Sequence, residues 1–202
     1  MYKIKYFLVV GRNFHYRIIL RIIGIDPGLR NTGWGIIEFQ NNKLIYIGDG
    51  SISPSPNLSD GERLLFIKNK LTEITLEHAP KISAIEQIFV GSGTGSSLKL
   101  GMARGVSMLA LAEAGLMIKE LPPKLVKKTV TGYGAASKQQ LKSMVEKLLN
   151  VVPRNEDSSD ALAIAISAQH IGYNNVTSDL LEENNGLNLA IAKALLKEKN
   201  IQ

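Results

Sequence analysis

Cysteine is absent from the chain, which excludes a disulfide framework and any metal site built on thiolates. A reducing, cytoplasmic setting is the expectation that goes with this. No apolar run approaches the ~20 residues that a membrane-spanning helix requires. Acids are missing from residues 1 to 23, where Lys3, Lys5, Arg12, Arg17 and Arg21 account for five of the net charge of +6, leaving +1 for the remainder. Total charge therefore says little about a polyanionic partner; its distribution says more. Between Lys119 and Lys147 seven lysines stand against Glu120 and Glu146, a basic face that suits nucleic acid and that could equally be a solvated helical surface. The three histidines, His15, His78 and His170, are scattered and suggest no metal site.

What is present is enough for one compact domain. The 202 residues are 45% hydrophobic, sufficient for a sizeable core with some chain left for tails. Residues 1–20 read as a disordered N-terminal extension: they are basic like a targeting presequence, but the apolar stretch Tyr6 to Val10 is too short for a secretory core and no small-residue cleavage site follows. Residues 21–171 form the body. Residues 172–202 are a polar connector and a helical tail, Leu187 to Lys197.

The body is organised around Ile22 to Gly35, in which a β-branched run ends in Asp26 and turns at once through Pro27-Gly28. A carboxylate closing an apolar strand would cost several kcal/mol if buried unpaired. Its place at the strand's mouth, forced by the Pro-Gly turn, calls for a cationic partner. Two other stretches carry acids in similar settings. Ile82 to Glu86 again ends an apolar run in an acid, and Asp157-Ser-Ser-Asp160 opens an apolar helix. At i and i+3, Asp157 and Asp160 share a helix face. Four such acids packed together would raise one another's pKa, and a pair of hard divalent cations resolves that conflict. Glu156 and Asp160, at i and i+4, would also share a face, so spacing alone leaves Glu156 and Asp157 as alternatives. Either acid would also suit a helix N-terminus for structural reasons alone.

In chain order, strands are expected over Ile22 to Asp26, Thr32 to Phe39 and Lys43 to Gly48, an antiparallel meander with a turn at Gln40 to Asn42. Ser59 to Glu62 is a capping box opening a helix with apolar positions Leu64, Ile67, Leu71 and Ile74, stopped at Pro80. After the Glu86 strand, Phe89 to Ser97 is glycine-rich but lacks the Gly-Lys-Ser/Thr ending of a phosphate-binding loop. Ser97 to Gly115 predicts a helix rich in small residues, Leu116 to Leu121 a parallel strand, and Pro122-Pro123 a short helix. A second capping box, Ser137 to Gln140, opens a helix with the stripe Leu141, Met144, Val145, Leu148 and Leu149. The acidic helix runs from about Asp157 to His170. Trp34 reads as sheet packing.

Taken together and in order, Gly-Ile-Asp-Pro-Gly (24 to 28), Ala-Ile-Glu-Gln (84 to 87), Leu-Lys-Leu-Gly-Met-Ala-Arg-Gly (98 to 105), Val-Lys-Lys-Thr-Val (126 to 130) and Asp-x-x-Asp-Ala-Leu-Ala (157 to 163) resemble the RuvC family of bacterial Holliday-junction resolvases. The resemblance covers most of residues 20 to 171. It implies an α/β, ribonuclease H-like three-layer fold with a mixed five-stranded sheet, and a homodimer that nicks opposed strands of four-way junction DNA. It further implies Asp26, Glu86, Asp157 and Asp160 as ligands of two Mg²⁺ ions, with Mn²⁺ able to substitute, and so selects Asp157 over Glu156. Lys127 and Lys138 match the family's lysines at the scissile phosphate; Phe89, Lys99, Arg104 and Lys128 are the implied DNA contacts, Phe89 by stacking on a base. RuvA and RuvB branch-migration proteins are the implied partners. The helix Ser97 to Gly115 would supply part of the dimer contact.

Two other readings compete. Actin-like kinases and ATPases also begin with an Asp-x-Gly turn, partly matched by Asp26-Pro-Gly28 and Thr32-Gly33, but they need a second nucleotide-gripping domain for which this length leaves no room. A catalytically silent DNA-binding relative should have lost carboxylates, and all four are present.

Overall fold

The computed structural model describes residues 20–88 and 94–171, so the expectations for residues 1–19, for Phe89 and for the tail after Gly172 lie outside the described residues. The elements are β1 (Leu20–Asp26), β2 (Thr32–Gln40), β3 (Lys43–Ile52), α1 (Asp60–His78), β4 (Ile82–Glu86), α2 (Thr94–Glu113), β5 (Met117–Leu121), α3 (Pro123–Thr131) and α4 (Lys138–Leu149), with α5 over residues 156–171. The sheet has five strands in the order β3-β2-β1-β4-β5. The first three form the expected meander, and β4 and β5 run parallel to β1. The hairpin between β2 and β3 turns on Asn41 and Asn42, both at positive φ (51° and 62°), which matches the twist of the strands it joins.

Alternation along the strands sorts the core into two layers. Ile22, Ile37, Ile82 and Ala84 pack with Val126, Val130, Leu141, Val145 and Leu162, on the side of α3, α4 and α5. Ile23, Ile25, Ile36 and Ile85 pack with Ile67, Leu71, Ala103, Ala110 and Leu111, on the side of α1 and α2. Each large aliphatic side chain so enclosed contributes about 1.5–3 kcal/mol. The result is helices, sheet, helices, and the implied ribonuclease H-like layering is what the sequence folds into. Both expected capping boxes form, at Ser59 with Glu62 and at Ser137 with Gln140.

Period two then fixes where the acids go. Asp26 follows Ile22 and Gly24 in parity, and Glu86 follows Ile82 and Ala84, so both strand ends aim at the face covered by α5. That face is unusually bare. A Cβ on Gly24 would stand 2.1 Å from the Ala161 carbonyl oxygen, one on Gly33 would stand 2.1 Å from that of Asp157, and one on Gly35 would stand 2.7 Å from the Leu162 side chain. In the β1–β2 register Asp26 pairs with Gly33 and Gly24 with Gly35. Here α5 lies backbone against sheet, and its first turn is delivered to the mouth where Asp26 ends.

Some details differ from expectation. Leu20 belongs to β1, paired with Phe39. Strand β3 does not stop at Gly48 but runs on to Ile52. Gly48 and Gly50 are not turn residues: their missing side chains make room for the Trp34 indole, which a Cβ on Gly50 would meet at 2.9 Å. In α4, Leu148 is 40% exposed and so belongs to the rim rather than to the buried stripe.

Candidate active site

Four carboxylates from three elements meet at the carboxyl ends of β1 and β4. Asp26 is half-buried at the end of β1, and its pKa is pushed up to about 7, first by burial and then by the charges of Asp160, Glu86 and Asp157, with Lys138 opposing. Burial and Asp160 likewise raise Glu86, against the pull of Lys127 and Lys138. Asp160 is raised by burial, lowered by Lys138, and raised by Asp157 and Glu156. An anionic site this short of cations is what hard, oxygen-seeking divalent ions relieve. Among the described residues no three acids or histidines close on one point as a ready-made cage. The four act on one another as charges across an open mouth.

Glu156 and Asp157 are placed differently. Asp157 acts on Asp26, and its Oδ2 accepts from the Ser51 hydroxyl at 3.3 Å. Glu156 is exposed and its charge reaches Asp160 without figuring among those that shift Asp26. Helix α5 opens with a cap: the Ser158 amide donates to Asn155 Oδ1 at 2.8 Å and the Asn155 amide to Ser158 Oγ at 3.1 Å. This is a reciprocal cap with serine where glutamate is usual.

Lysines flank the acids. Lys138 Nζ stands 3.7 Å from Asp160 Oδ2 with its side chain 75% exposed, a pair that contributes at most about 1 kcal/mol and is readily exchanged for another anion. Lys127, half-buried on α3, is close enough for its charge to act on Glu86. A cleft of 340 Å³ leads away from Asp160 between α4 and α5, lined by Lys138, Gln139, Lys142, Glu156 and Ser159.

Among the expected DNA contacts, Lys128 is exposed on α3 and Lys99 lies 3.3 Å from Asp60 with over half of its side chain exposed. Arg104 lies beside the acids. Its Nε donates to the Glu86 carbonyl oxygen at 3.2 Å and its guanidinium pairs with Glu120, leaving the side chain 16% exposed. These contacts tie it to the ends of β4 and β5 beside Glu86.

Sequence reasoning passed over Ser51, Asn155, Ser158 and Asp49. Ser51 and Asp49 were legible in principle, because they continue the alternation of β3 through to Ile52, but only to a reader who does not stop at Gly-Asp-Gly.

Against known proteins, the family described as crossover junction endodeoxyribonuclease RuvC matches residues 22–168. The RuvC of Rhodopseudomonas palustris is 50% identical over 152 residues, which are 75% of this chain and 87% of that protein. The RuvC of Azorhizobium caulinodans is 49% identical over 153 residues, 75% of this chain and 90% of that one. Among solved structures, Thermus thermophilus RuvC in complex with a Holliday junction substrate superposes with a TM-score of 0.68 at 29% identity, covering 73% of this chain and 92% of the other.

Proposed function

The chain belongs to the RuvC family of crossover junction endodeoxyribonucleases, and from that premise we propose how its own residues divide the work. The protein is a nuclease that resolves Holliday junctions in recombination and repair. The reading of its site rests on one observation above the others: the carboxylates of Asp26, Glu86, Asp157 and Asp160 come to one mouth, where burial first and then the other three acids push the pKa of Asp26 up to about 7.

These four acids would hold two Mg²⁺ ions, with Mn²⁺ as a substitute. All four donors are carboxylate oxygens, the set such ions prefer. Ions bound there would supply activation of water and charge compensation at the leaving 3′ oxygen. The remaining steps belong to the chain. Lys138 leaves its weak pair with Asp160 to meet a phosphate oxygen of the scissile group, and Lys127 holds the same group from α3. One phosphorus–oxygen bond is made to water and one broken to the 3′ oxygen, giving 5′-phosphate and 3′-hydroxyl ends. The strand beyond the cut follows the cleft past Lys142 and Gln139, while Lys99 and Lys128 take phosphates further out. Phe89, three residues after Glu86 in the sequence, stacks on a base beside the cut; such a contact is worth about 1–3 kcal/mol.

Paired cuts call for two such sites, and α2 supplies a surface for a second copy. Leu98, Met102 and Leu109 are 62%, 41% and 53% exposed along one side of it, and a Cβ on Gly101 or Gly105 would meet nothing within 4 Å. An apolar stripe with small residues between its large ones fits a two-fold contact of the helix with its copy. RuvA and RuvB are the expected partners on the junction, in the cytoplasm. No helix among the described residues is long and apolar enough to cross a membrane.

The decisive experiment incubates the purified chain with a synthetic four-way junction, with and without Mg²⁺, and maps the cuts. Symmetrical, ligatable nicks that need the metal support the reading. Intact junctions in Mg²⁺ and Mn²⁺, or a strict monomer by sedimentation that still makes paired cuts, would contradict it.

A further inference from the structure

Among the described residues, Asp49 is the one charged side chain that is completely buried, and the chemistry above makes no use of it. It lies near the end of β3, opposite Gly35 and two residues before Ser51, on the face that α5 covers. Its partners account for its burial. Oδ1 accepts from the Tyr46 hydroxyl at 2.6 Å. Oδ2 accepts from the Arg154 amide at 2.8 Å and from the Ser158 hydroxyl at 2.6 Å. The Arg154 side chain also lies 3.7 Å away but is 72% exposed, so the close neutral donors and the positive end of α5 satisfy the carboxylate.

The identity of those donors gives the residue its meaning. Ser158 stands between Asp157 and Asp160 and is half of the reciprocal cap that begins α5. Its single hydroxyl proton can go to Asp49 at 2.6 Å or to the Asn155 carbonyl at 3.1 Å, and the anion at the shorter distance is the better acceptor. Two residues along the same strand face, Ser51 holds Asp157 itself. Strand β3 thus grips the first turn of α5 at two points. Successive residues on a helix are turned by about 100°, so a slip of one position would bring Glu156 to the mouth in place of Asp157.

We propose that Asp49 is a positioning residue that sets the rotation of the first turn of α5, and through it the aim of Asp157 and Asp160 into the metal site. The proposal rests on the reading of those two acids as metal ligands. Groups that orient ligands in this way typically change metal affinity by about 10- to 100-fold when removed.

The test compares Asp49→Asn, Ser158→Ala and Tyr46→Phe with the full-length parent, and carries Asp160→Asn as a reference for the metal site. Hydrogen exchange in metal-free protein is followed at the amides of residues 156–161 and of β1, and Mg²⁺ is titrated both into junction cleavage and into thermal stability. Asp49→Asn and Ser158→Ala should speed exchange at 156–161 by roughly tenfold or more with β1 still protected. Both should move the Mg²⁺ midpoint upward by about 10- to 100-fold, with cleavage recovered at high Mg²⁺. Tyr46→Phe takes a donor only from the other carboxylate oxygen and should leave the midpoint in place. An unchanged midpoint in Asp49→Asn overturns the proposal, whether exchange is unchanged or rises equally throughout the molecule. If Asp160→Asn cuts like the parent, the metal-site reading fails instead, and local exchange at 156–161 still decides whether Asp49 governs the turn.

Discussion

The two faces of the sheet are built on opposite rules. Toward α1 and α2 the strands present Ile23, Ile25, Ile36 and Ile85, all fully buried, and the helices are held off by side chains. Toward α5 the corresponding positions include Gly24, Gly33 and Gly35, where helix backbone fills the space that a Cβ would need. Every carboxylate of the mouth lies on this second face. Apolar area that could have been buried there has been given up so that a helix start can come within reach of a strand end. The isoleucine face holds the sheet; the glycine face holds the four carboxylates of the candidate site.

The sharpest way to test that division is at the mouth itself. Asp26→Asn should lower junction cleavage by about a thousandfold or more while junction binding stays near the parent's, since docking uses other groups. Retained cleavage would remove Asp26 from the site. The next largest contrast sets one face against the other. Gly33→Ala forces the Asp157 backbone away, and a displacement of about 1 Å at a reacting centre can cost a hundredfold in rate. Ile25→Val should cost about 0.5–1.5 kcal/mol of stability with the cleavage rate unchanged. If denaturant melts and single-turnover rates fell in parallel for both variants, the faces would not be functionally distinct.

A third prediction concerns protons. Asp26 has a folded-state pKa of about 7 against an ordinary value of 3.8, so the native state keeps a proton that the unfolded chain has lost. The stability linked to it is fully present below pH 3.8 and is lost as pH rises through 7. Metal-free protein should therefore lose on the order of 1–3 kcal/mol between pH 4 and 8 from this group. Asp26→Asn should flatten that dependence in thermal melts recorded with a chelator. A variant with the parent's pH slope would show that another group is responsible. The smallest effect expected is electrostatic: Lys138→Ala should reduce the slope of log affinity against log salt by about 0.9 if it neutralises one phosphate, and should slow cleavage as well. An unaltered slope would mean that Lys138 serves Asp160 alone.

Much of this was legible beforehand, for definite reasons. Alternation gave the strands, helical spacing with the Ser59 and Ser137 boxes gave two helices, and an acid closing an apolar strand is costly enough to mark Asp26 and Glu86 as residues with a purpose. Long-range pairing was not legible. Gly48-Asp49-Gly50 has the composition of a turn, and only the presence of Trp34 on the neighbouring strand makes it a strand interior. Nor could spacing rank Asp157 above Glu156, because the phase of α5 depends on Asn155 and Ser158 and on an acid 109 residues away in sequence from that serine. The pairing of Arg104 with Glu120 was hidden for a related reason, because β5 supplies the acid from 16 residues further along the chain.

The socket formed by Gly48 and Gly50 has an optical consequence. The chain has a single tryptophan. Its indole is seated over those two glycines, with the His78 ring 5.8 Å away, on the isoleucine side of the sheet. Intrinsic fluorescence therefore watches the pairing of β3 with β2 from the side opposite the carboxylates. A change in that emission on adding metal or DNA would register movement around the strand that carries Asp49 and Ser51, the element we propose to aim Asp157 and Asp160.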